Sequence, residues 1–250
     1  MQTQVSTDES TGTRTLRRGL SILSLFSVER PVLMQSEISR LLALPLPTVV
    51  RFCHTLVLDQ YLKQDPITRE LRLGPQILRL AGKPESGVTD FVRSWMRQLN
   101  EEFNEDVNLA ILDGTHALYL DSIPSTRVLS TQTVVGSRIP AHSTAIGKSL
   151  LSQLDDQIIR DRLGPGPYEI RTEHTLHTWS ELKASLDQIR ESSISRSTDE
   201  YEPGLSGFAV PLRNEPGAPP LSLSIAIPTI RCTETTVRKV VDALLHPFVQ

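Results

Sequence analysis

From the front of the chain, apolar residues recur at the three-and-four spacing of a helix face. A Thr-, Ser- and Gln-rich stretch over residues 1–13 reads as a flexible tail. After it, Leu16, Leu20, Ile22, Leu23 and Phe26 make an apolar face to cover a core, with Arg14, Arg17 and Arg18 near its start. Ser36 is placed to cap a short helix in which Ile38, Leu41 and Leu42 share a face, and Ala43 to Pro45 ends it. A second helix begins near Pro47, where no intrahelical partner awaits the missing amide, and runs to Leu58. Its Val49, Phe52, Cys53 and Leu56 form a burying stripe, while Thr48, Arg51 and Thr55 fall on another side. Two alternating stretches, Tyr61-Leu62-Lys63 and Glu70-Leu71-Arg72-Leu73, then flank a turn at 65–69. Helix, helix and hairpin make a winged helix-turn-helix over 14–74. The polar edge of its second helix suits a major groove, and Lys63, Arg69 and Arg72 on the wing are placed for phosphates or a minor groove, as Arg17 and Arg18 are for backbone phosphates.

Beyond the wing, Gly74-Pro75 turns the chain and Ile77, Leu78 and Leu80 continue as a connecting helix. The break at 81–87 sets a linker over 75–86 and a second domain over 87–250. A helical face over 89–103 uses Phe91, Val92, Trp95, Met96, Leu99 and Phe103. The period then falls to two: a strand over 107–112, the hairpin turn Asp113-Gly114, a returning strand over 116–122 and a further strand over 128–133. A loop through His142 leads into a short helix over 143–151, whose start presents amides suited to an anion or carboxylate. Helical patterns over 154–162 and 178–191, strands over 194–197, 207–212 and 221–227, and a helix over 234–245 complete the chain. Hairpins among helices, without successive βαβ crossovers, predict an α+β protein: an N-terminal winged helix-turn-helix joined by a helix to a mixed α/β effector-binding domain.

Composition changes the picture only when the chain is divided. The net charge of −3 says little about nucleic acid, but through Glu85 there are eleven Lys and Arg against eight Asp and Glu, and beyond it fifteen against twenty-one. A mildly basic front and an acidic back fit a DNA reader joined to a controller. Cys53 and Cys232 lie far apart and belong to no ligand cluster, so no metal, cofactor or disulfide framework is expected and a reducing, cytoplasmic setting is. No apolar run reaches the roughly 20 residues that span a bilayer.

With these elements in place, the sequence resembles the IclR family of transcriptional regulators. In front the likeness runs through Leu44-Pro45, Thr48-Val49, Arg51, Thr55-Leu56, Tyr61-Leu62 and Leu71-Arg72-Leu73-Gly74. Behind, it runs through Asn108-Leu109-Ala110, Asp113-Gly114, Tyr119-Leu120-Asp121, Val135 to Pro140, His142, Gly147-Lys148, Glu202-Pro203-Gly204 and the strand around Ser224. The resemblance implies a homo-dimer or tetramer on double-stranded promoter DNA, with no membrane partner. It further implies control of catabolic or metabolic genes by a small organic-acid effector, often aromatic. Repression is the commoner outcome and activation stays open.

The same likeness places effector contacts at Ala145 and Ile146, at Ser197 and Gly207, and at Ser224 and Ala226, with Leu109, Ile111, Ile139 and Phe208 available for an apolar wall. Ile146 and Ala226 replace smaller or more polar residues of some members, which argues against glyoxylate-like or pyruvate-like acids. Leu46-Pro47 and Val50 also depart from the family's polar choices, shifting DNA selectivity onto Thr48, Arg51, Thr55 and the wing. Two other readings of the residues remain: a small-acid hydrolase built on His142 and Ser143, and a ligand-binding protein whose winged helix contacts protein.

Overall fold

A computed structural model describes residues 11–27, 30–81, 90–131, 133–212 and 219–247. The chain divides into two compact units, Met1–Ser86 and Gly87–Gln250.

In the first unit the helices are α1 (Thr11–Leu23), α2 (Gln35–Leu42), α3 (Leu46–Leu58) and α4 (Pro75–Ala81), with a hairpin of β1 (Leu62–Gln64) and β2 (Leu71–Leu73). α3 departs from α2 by 118°, within the usual range for a helix-turn-helix. The turn between them holds Ala43 at φ 50°, and the Ser39 hydroxyl donates to Leu44 O at 2.6 Å. Leu62 pairs with Leu73 and Gln64 with Leu71, while Leu33 and Leu71 exchange backbone hydrogen bonds of 3.0 and 2.9 Å that tie the wing to the segment before α2. Ile22, Phe26, Leu33, Ile38, Val49, Cys53, Leu62 and Leu71 form the core. Burial pushes the Cys53 thiol up to about 11 and leaves it an inert packing group.

Three expectations for this unit are corrected. α1 starts at Thr11 instead of near residue 14, and Leu16 and Leu20 are exposed on it; residues 1–10 of the expected tail lie outside the described residues. At about 100° per residue, Leu20 sits nearly opposite the buried Ile22, so one helix cannot bury both. Ser36 is not the cap. Met34 takes that place in extended conformation, and the Glu37 carboxylate receives its N–H at 2.7 Å. Leu41 also faces outward. The expected boundary at 81–87 falls almost wholly outside the described residues.

The second unit is built on a six-stranded, wholly antiparallel sheet. Its strands are β3 (Asp106–Asp113), β4 (His116–Ile123), β5 (Arg138–Pro140), β6 (Ser195–Thr198), β7 (Leu205–Leu212) and β8 (Leu221–Pro228), in the order β5-β4-β3-β8-β7-β6. One face packs against α5 (Asp90–Phe103) and α9 (Glu234–Leu245) through Trp95, Met96, Leu99, Val240 and Leu244. The other packs against α6 (Ala145–Leu151), α7 (Asp156–Leu163) and α8 (Trp179–Ser192) through Ile146, Leu150, Leu151, Ile159, Leu182 and Leu186. Phe91, expected on the buried side of α5, is exposed.

The strand expected over 128–133 does not form among the described residues. Buried polar groups hold that segment as a loop. Asp106 accepts from the N–H of Ser125 at 2.6 Å, from the N–H of Thr131 at 2.7 Å and from the Thr131 hydroxyl, while Arg231 donates to Leu129 O at 3.1 Å. Val128 is left fully exposed. No single helix among the described residues is long and apolar enough to cross a membrane.

Candidate DNA-reading edge and effector site

On α3, Val49 and Cys53 are buried and fix the helix's rotation, which leaves Arg51 and Thr55 exposed and Thr48 half-buried. The Arg51 guanidinium lies 5.8 Å from the Phe52 ring centroid, and the Thr55 hydroxyl donates to Arg51 O at 3.2 Å. Val50 and His54 flank this edge and are exposed as well; His54 went unremarked in the sequence because helical period alone does not rank one polar position above another.

In the wing, Lys63 and Arg72 are cross-strand partners on the exposed face. Arg72 keeps a loose 3.5 Å contact with Glu70. The turn is ordered by Asp65, whose carboxylate accepts from the N–H groups of Ile67 at 2.8 Å and Thr68 at 2.9 Å. Those N–H groups, Thr68 first, hold its carboxyl below the usual range. Arg69 follows at φ 64°, exposed, with its carbonyl held by Gln64 Nε2 at 3.0 Å. Arg17 and Arg18 are exposed on α1.

In the second unit the sheet face toward α6 carries two cross-strand rows. One runs Ser122, Asn108, Ser224, Ala209, Ser195; the other runs Asp106, Ala226, Gly207, Ser197. Apart from Asn108 and Asp106 on β3, small and hydroxyl side chains fill both, because α6 begins above β7. A Cβ built on Gly207 would stand 3.1 Å from the Ala145 Cβ and 3.2 Å from Ser197 Oγ. The Ala145 N–H donates to Ser197 Oγ at 3.2 Å, and Thr144 caps the helix by accepting from the Gly147 N–H at 3.1 Å. Gly147 is equally forced, since a Cβ there would meet backbone atoms of Ala141 at 2.3–2.7 Å.

The structure therefore brings Ala145, Ile146, Ser197, Gly207, Ser224 and Ala226 to one place. It does not bring Leu109, Ile111 and Phe208 there. Strand side chains alternate faces, and these three point to the α5 and α9 side, within or against that core. The apolar wall expected from them is corrected accordingly. Ile139 does pack on the α6 side.

Other residues of the site were missed in the sequence. Asn108 accepts from the Ser122 hydroxyl at 2.8 Å; among the described residues its amide nitrogen and the Ser224 hydroxyl bond to no protein group. Tyr119 reaches in from β4, and burial raises its phenol's pKa, with Tyr201 nearby adding to the effect. Beside the rows, a groove of about 400 Å³ is lined by Leu129, Thr131, Pro203, Leu205, Pro228 and Ile230.

The buried charge near the site is locked. Lys148 Nζ donates to both carboxylate oxygens of Glu200 at 2.6 and 2.7 Å, and burial outweighs their attraction in each, lowering the lysine's pKa and raising the glutamate's. His142 is buried and held below the usual histidine range by desolvation; its Nε2–H donates to Glu169 O at 2.9 Å. The Ser143 hydroxyl donates to Pro140 O at 3.2 Å. His142 Nε2 and the Ser143 hydroxyl thus each bond to a backbone carbonyl and not to one another. No group of three or more His, Cys, Asp or Glu among the described residues could hold a metal.

Comparison with known proteins agrees with both halves. The family described as the IclR helix-turn-helix domain matches residues 15–66, and the bacterial transcriptional regulator IclR C-terminal family matches residues 85–247. The HTH-type transcriptional regulator KdgR of Dickeya chrysanthemi is 32% identical over 228 residues, 90% of this chain and 74% of that protein. An IclR transcriptional regulator from Silicibacter sp. TM1040 superposes with a TM-score of 0.84 at 26% identity, over 92% of both chains. An IclR homolog from Microbacterium hydrocarbonoxydans, solved with 4-hydroxybenzoate, gives 0.79 at 25% identity over 92% of this chain and 96% of its own. A winged helix with an exposed polar edge, a second unit with a hydroxyl-lined site under a short helix, and these matches across the length lead to one conclusion: the chain belongs to the IclR family of DNA-binding, effector-responsive transcriptional regulators.

Proposed function

We propose that this regulator binds promoter DNA sequence-specifically as a homo-dimer or tetramer, governs catabolic or metabolic genes, and is switched by a small organic acid, aromatic in character. The observation that carries the DNA half is the outward edge Thr48, Arg51, Thr55 on a helix whose opposite side is pinned by buried Val49 and Cys53. Arg51 reads a base edge, Lys63, Arg69, Arg72, Arg17 and Arg18 neutralise phosphates, and a two-fold assembly presents the α3 helices to half-sites about 34 Å apart. The effector half rests on the floor of Asn108, Ser224, Ala226 and Gly207 beneath Ala145 and Ile146. Its hydroxyl and amide groups orient a small polar ligand, and Tyr119 offers an aromatic surface. The 4-hydroxybenzoate complex of a relative supports an aromatic acid.

Selection of duplexes retained by the full chain from a random pool, followed by anisotropy titration at about 0.15 M salt, tests the first half. Affinity for the selected site should exceed that for a shuffled duplex by at least about a thousandfold. Equal, steeply salt-dependent binding to both refutes sequence-specific reading. Adding 4-hydroxybenzoate should shift the selected-site affinity several-fold to about a hundredfold.

A further inference from the structure

Among the described residues, the cationic side chains Lys148, Arg231 and Arg171 lie around the site beneath α6, and they are held in different ways. Lys148, with its side chain 2% exposed, is gripped by both oxygens of Glu200. Arg231 makes contacts of 2.7 and 2.6 Å to Glu105, a carboxylate 5% exposed. Taking Lys148 away would strand a buried carboxylate, and taking Arg231 away would leave Glu105 to the more exposed Arg127 at 3.3 Å. Arg171 is different. Among the described residues its one ion pair is with Glu169 at 3.0 Å, a side chain 61% exposed, so that carboxylate can be exchanged for another at little cost.

Arg171 also stands where a ligand would need it. The segment that carries it is stitched to the chain just beyond Ser197: the Thr172 hydroxyl donates to Asp199 O at 2.5 Å and the Thr175 hydroxyl to Glu200 O at 2.6 Å. Its guanidinium lies 4.3 Å from the Tyr201 ring centroid, and Nε donates to Tyr201 O at 3.3 Å. The other end of the segment is held at the entry to α6, where the His142 Nε2–H donates to Glu169 O at 2.9 Å, and Ser197 Oγ accepts from the Ala145 N–H at 3.2 Å, so Arg171 lies at the rim between β6 and the start of α6.

We propose that Arg171 is the residue that reads the effector's charge: it releases Glu169 and pairs with the carboxylate of an organic acid lying over Ser224 and Asn108, with the Tyr201 ring holding the guanidinium in place. This rests on the organic-acid reading above. A carboxylate leaving water for a floor of Ser, Asn, Ala and Gly finds hydrogen-bond donors there but no countercharge, and its desolvation goes uncompensated. Lys148 and Arg231 are each engaged by a buried carboxylate. A guanidinium can receive a carboxylate through two parallel hydrogen bonds, and stacking on Tyr201 leaves its edge open to do so.

The test is calorimetric titration of the full chain with 4-hydroxybenzoate and its neutral counterpart 4-hydroxybenzamide, using wild type, Arg171→Gln, Arg171→Lys and Glu169→Gln, each checked for unchanged melting. Arg171→Gln should weaken the acid by about tenfold or more while leaving the amide within about twofold, and Arg171→Lys should recover part of the loss. Glu169→Gln, which frees Arg171, should tighten the acid. An acid-to-amide ratio that none of the variants moves overturns the assignment and leaves the organic-acid reading standing. Equal loss of acid and amide in Arg171→Gln, without rescue by lysine, assigns Arg171 to holding Tyr201 only and also overturns it. Wild type that binds none of 4-hydroxybenzoate, benzoate and pyruvate overturns the organic-acid reading and the role of Arg171 together.

Discussion

Breaking the Lys148–Glu200 pair one partner at a time should produce losses of stability with opposite pH slopes, and breaking both should restore most of the loss. With Nζ 2.6 and 2.7 Å from the two oxygens, the attraction amounts to roughly 5 kcal/mol at an effective dielectric of about 20. Against it stand two desolvation penalties of several kcal/mol each, since the side chains are only 2% and 11% exposed. The pair is therefore near balance when whole and costly when halved, by about 3–5 kcal/mol.

Lys148→Met strands Glu200, whose folded pKa already lies above its unfolded value. The folded state then holds the extra proton, so the variant is best off at acid pH and loses stability as pH rises through the raised value, by up to about 1.4 kcal/mol per unit. Glu200→Leu strands Lys148, whose folded pKa is lowered. The unfolded state binds more protons between that lowered value and the ordinary 10.5, so stability climbs with pH across that window. The double variant should be flat with pH and within about 1 kcal/mol of wild type, or more stable. Urea unfolding read by tryptophan fluorescence isolates the second unit, because both tryptophans, Trp95 and Trp179, belong to it. A Lys148→Met loss below about 1 kcal/mol with no pH slope would show the pair to be solvated and the reasoning wrong.

Three further outcomes are expected. Gly147→Ala places a methyl group 2.3–2.7 Å from Ala141 backbone, which cannot yield like a side chain, so the second unit should lose at least about 2 kcal/mol in the same urea assay; a shift under half of that means α6 can slide. Arg51→Ala should cost about 1–3 kcal/mol on the selected duplex and relax its sequence preference, with melting unchanged; normal selectivity in the anisotropy titration removes Arg51 from base reading. Lys63→Ala and Arg72→Ala should weaken selected and shuffled duplexes alike and each reduce the slope of log affinity against log salt by about 0.9; an unchanged slope places the wing away from the phosphates.

The first unit was legible because its logic is local. A stripe at 49, 52, 53 and 56 fixes which edge of α3 is free, and a turn anchored by Asp65 fixes the wing, so few distant contacts are needed. Its errors came from competing local solutions. Glu37, reaching back to the Met34 N–H, satisfies the helix start and makes a serine cap unnecessary. Val128 to Thr131 has strand-like composition, but its amide and carbonyl groups are taken by Asp106 and Arg231, neither a neighbour in sequence.

In the candidate effector site the helix start after His142 was legible from the residues and the strand positions only through family likeness, and there the failure is one of parity. Consecutive strand residues look to opposite faces, so Leu109 is lost to the site by the same rule that brings Asn108 into it, and Phe208 by the rule that brings Gly207 and Ala209. The run over 107–112, apolar except at Asn108, hides which residues form the odd set, because both faces of this sheet are buried. What breaks the tie is size: only Gly207, Ala209, Ser222, Ser224 and Ala226 are small enough to lie beneath the helix that starts at Ala145, and their alternate neighbours Phe208, Val210, Leu223 and Ile225 fill the other core. Two strands with small residues at every second position and large ones between therefore mark the floor of a covered site before any pairing is known, and the pairing of Ser224 with Asn108 then carries the same face across to β3.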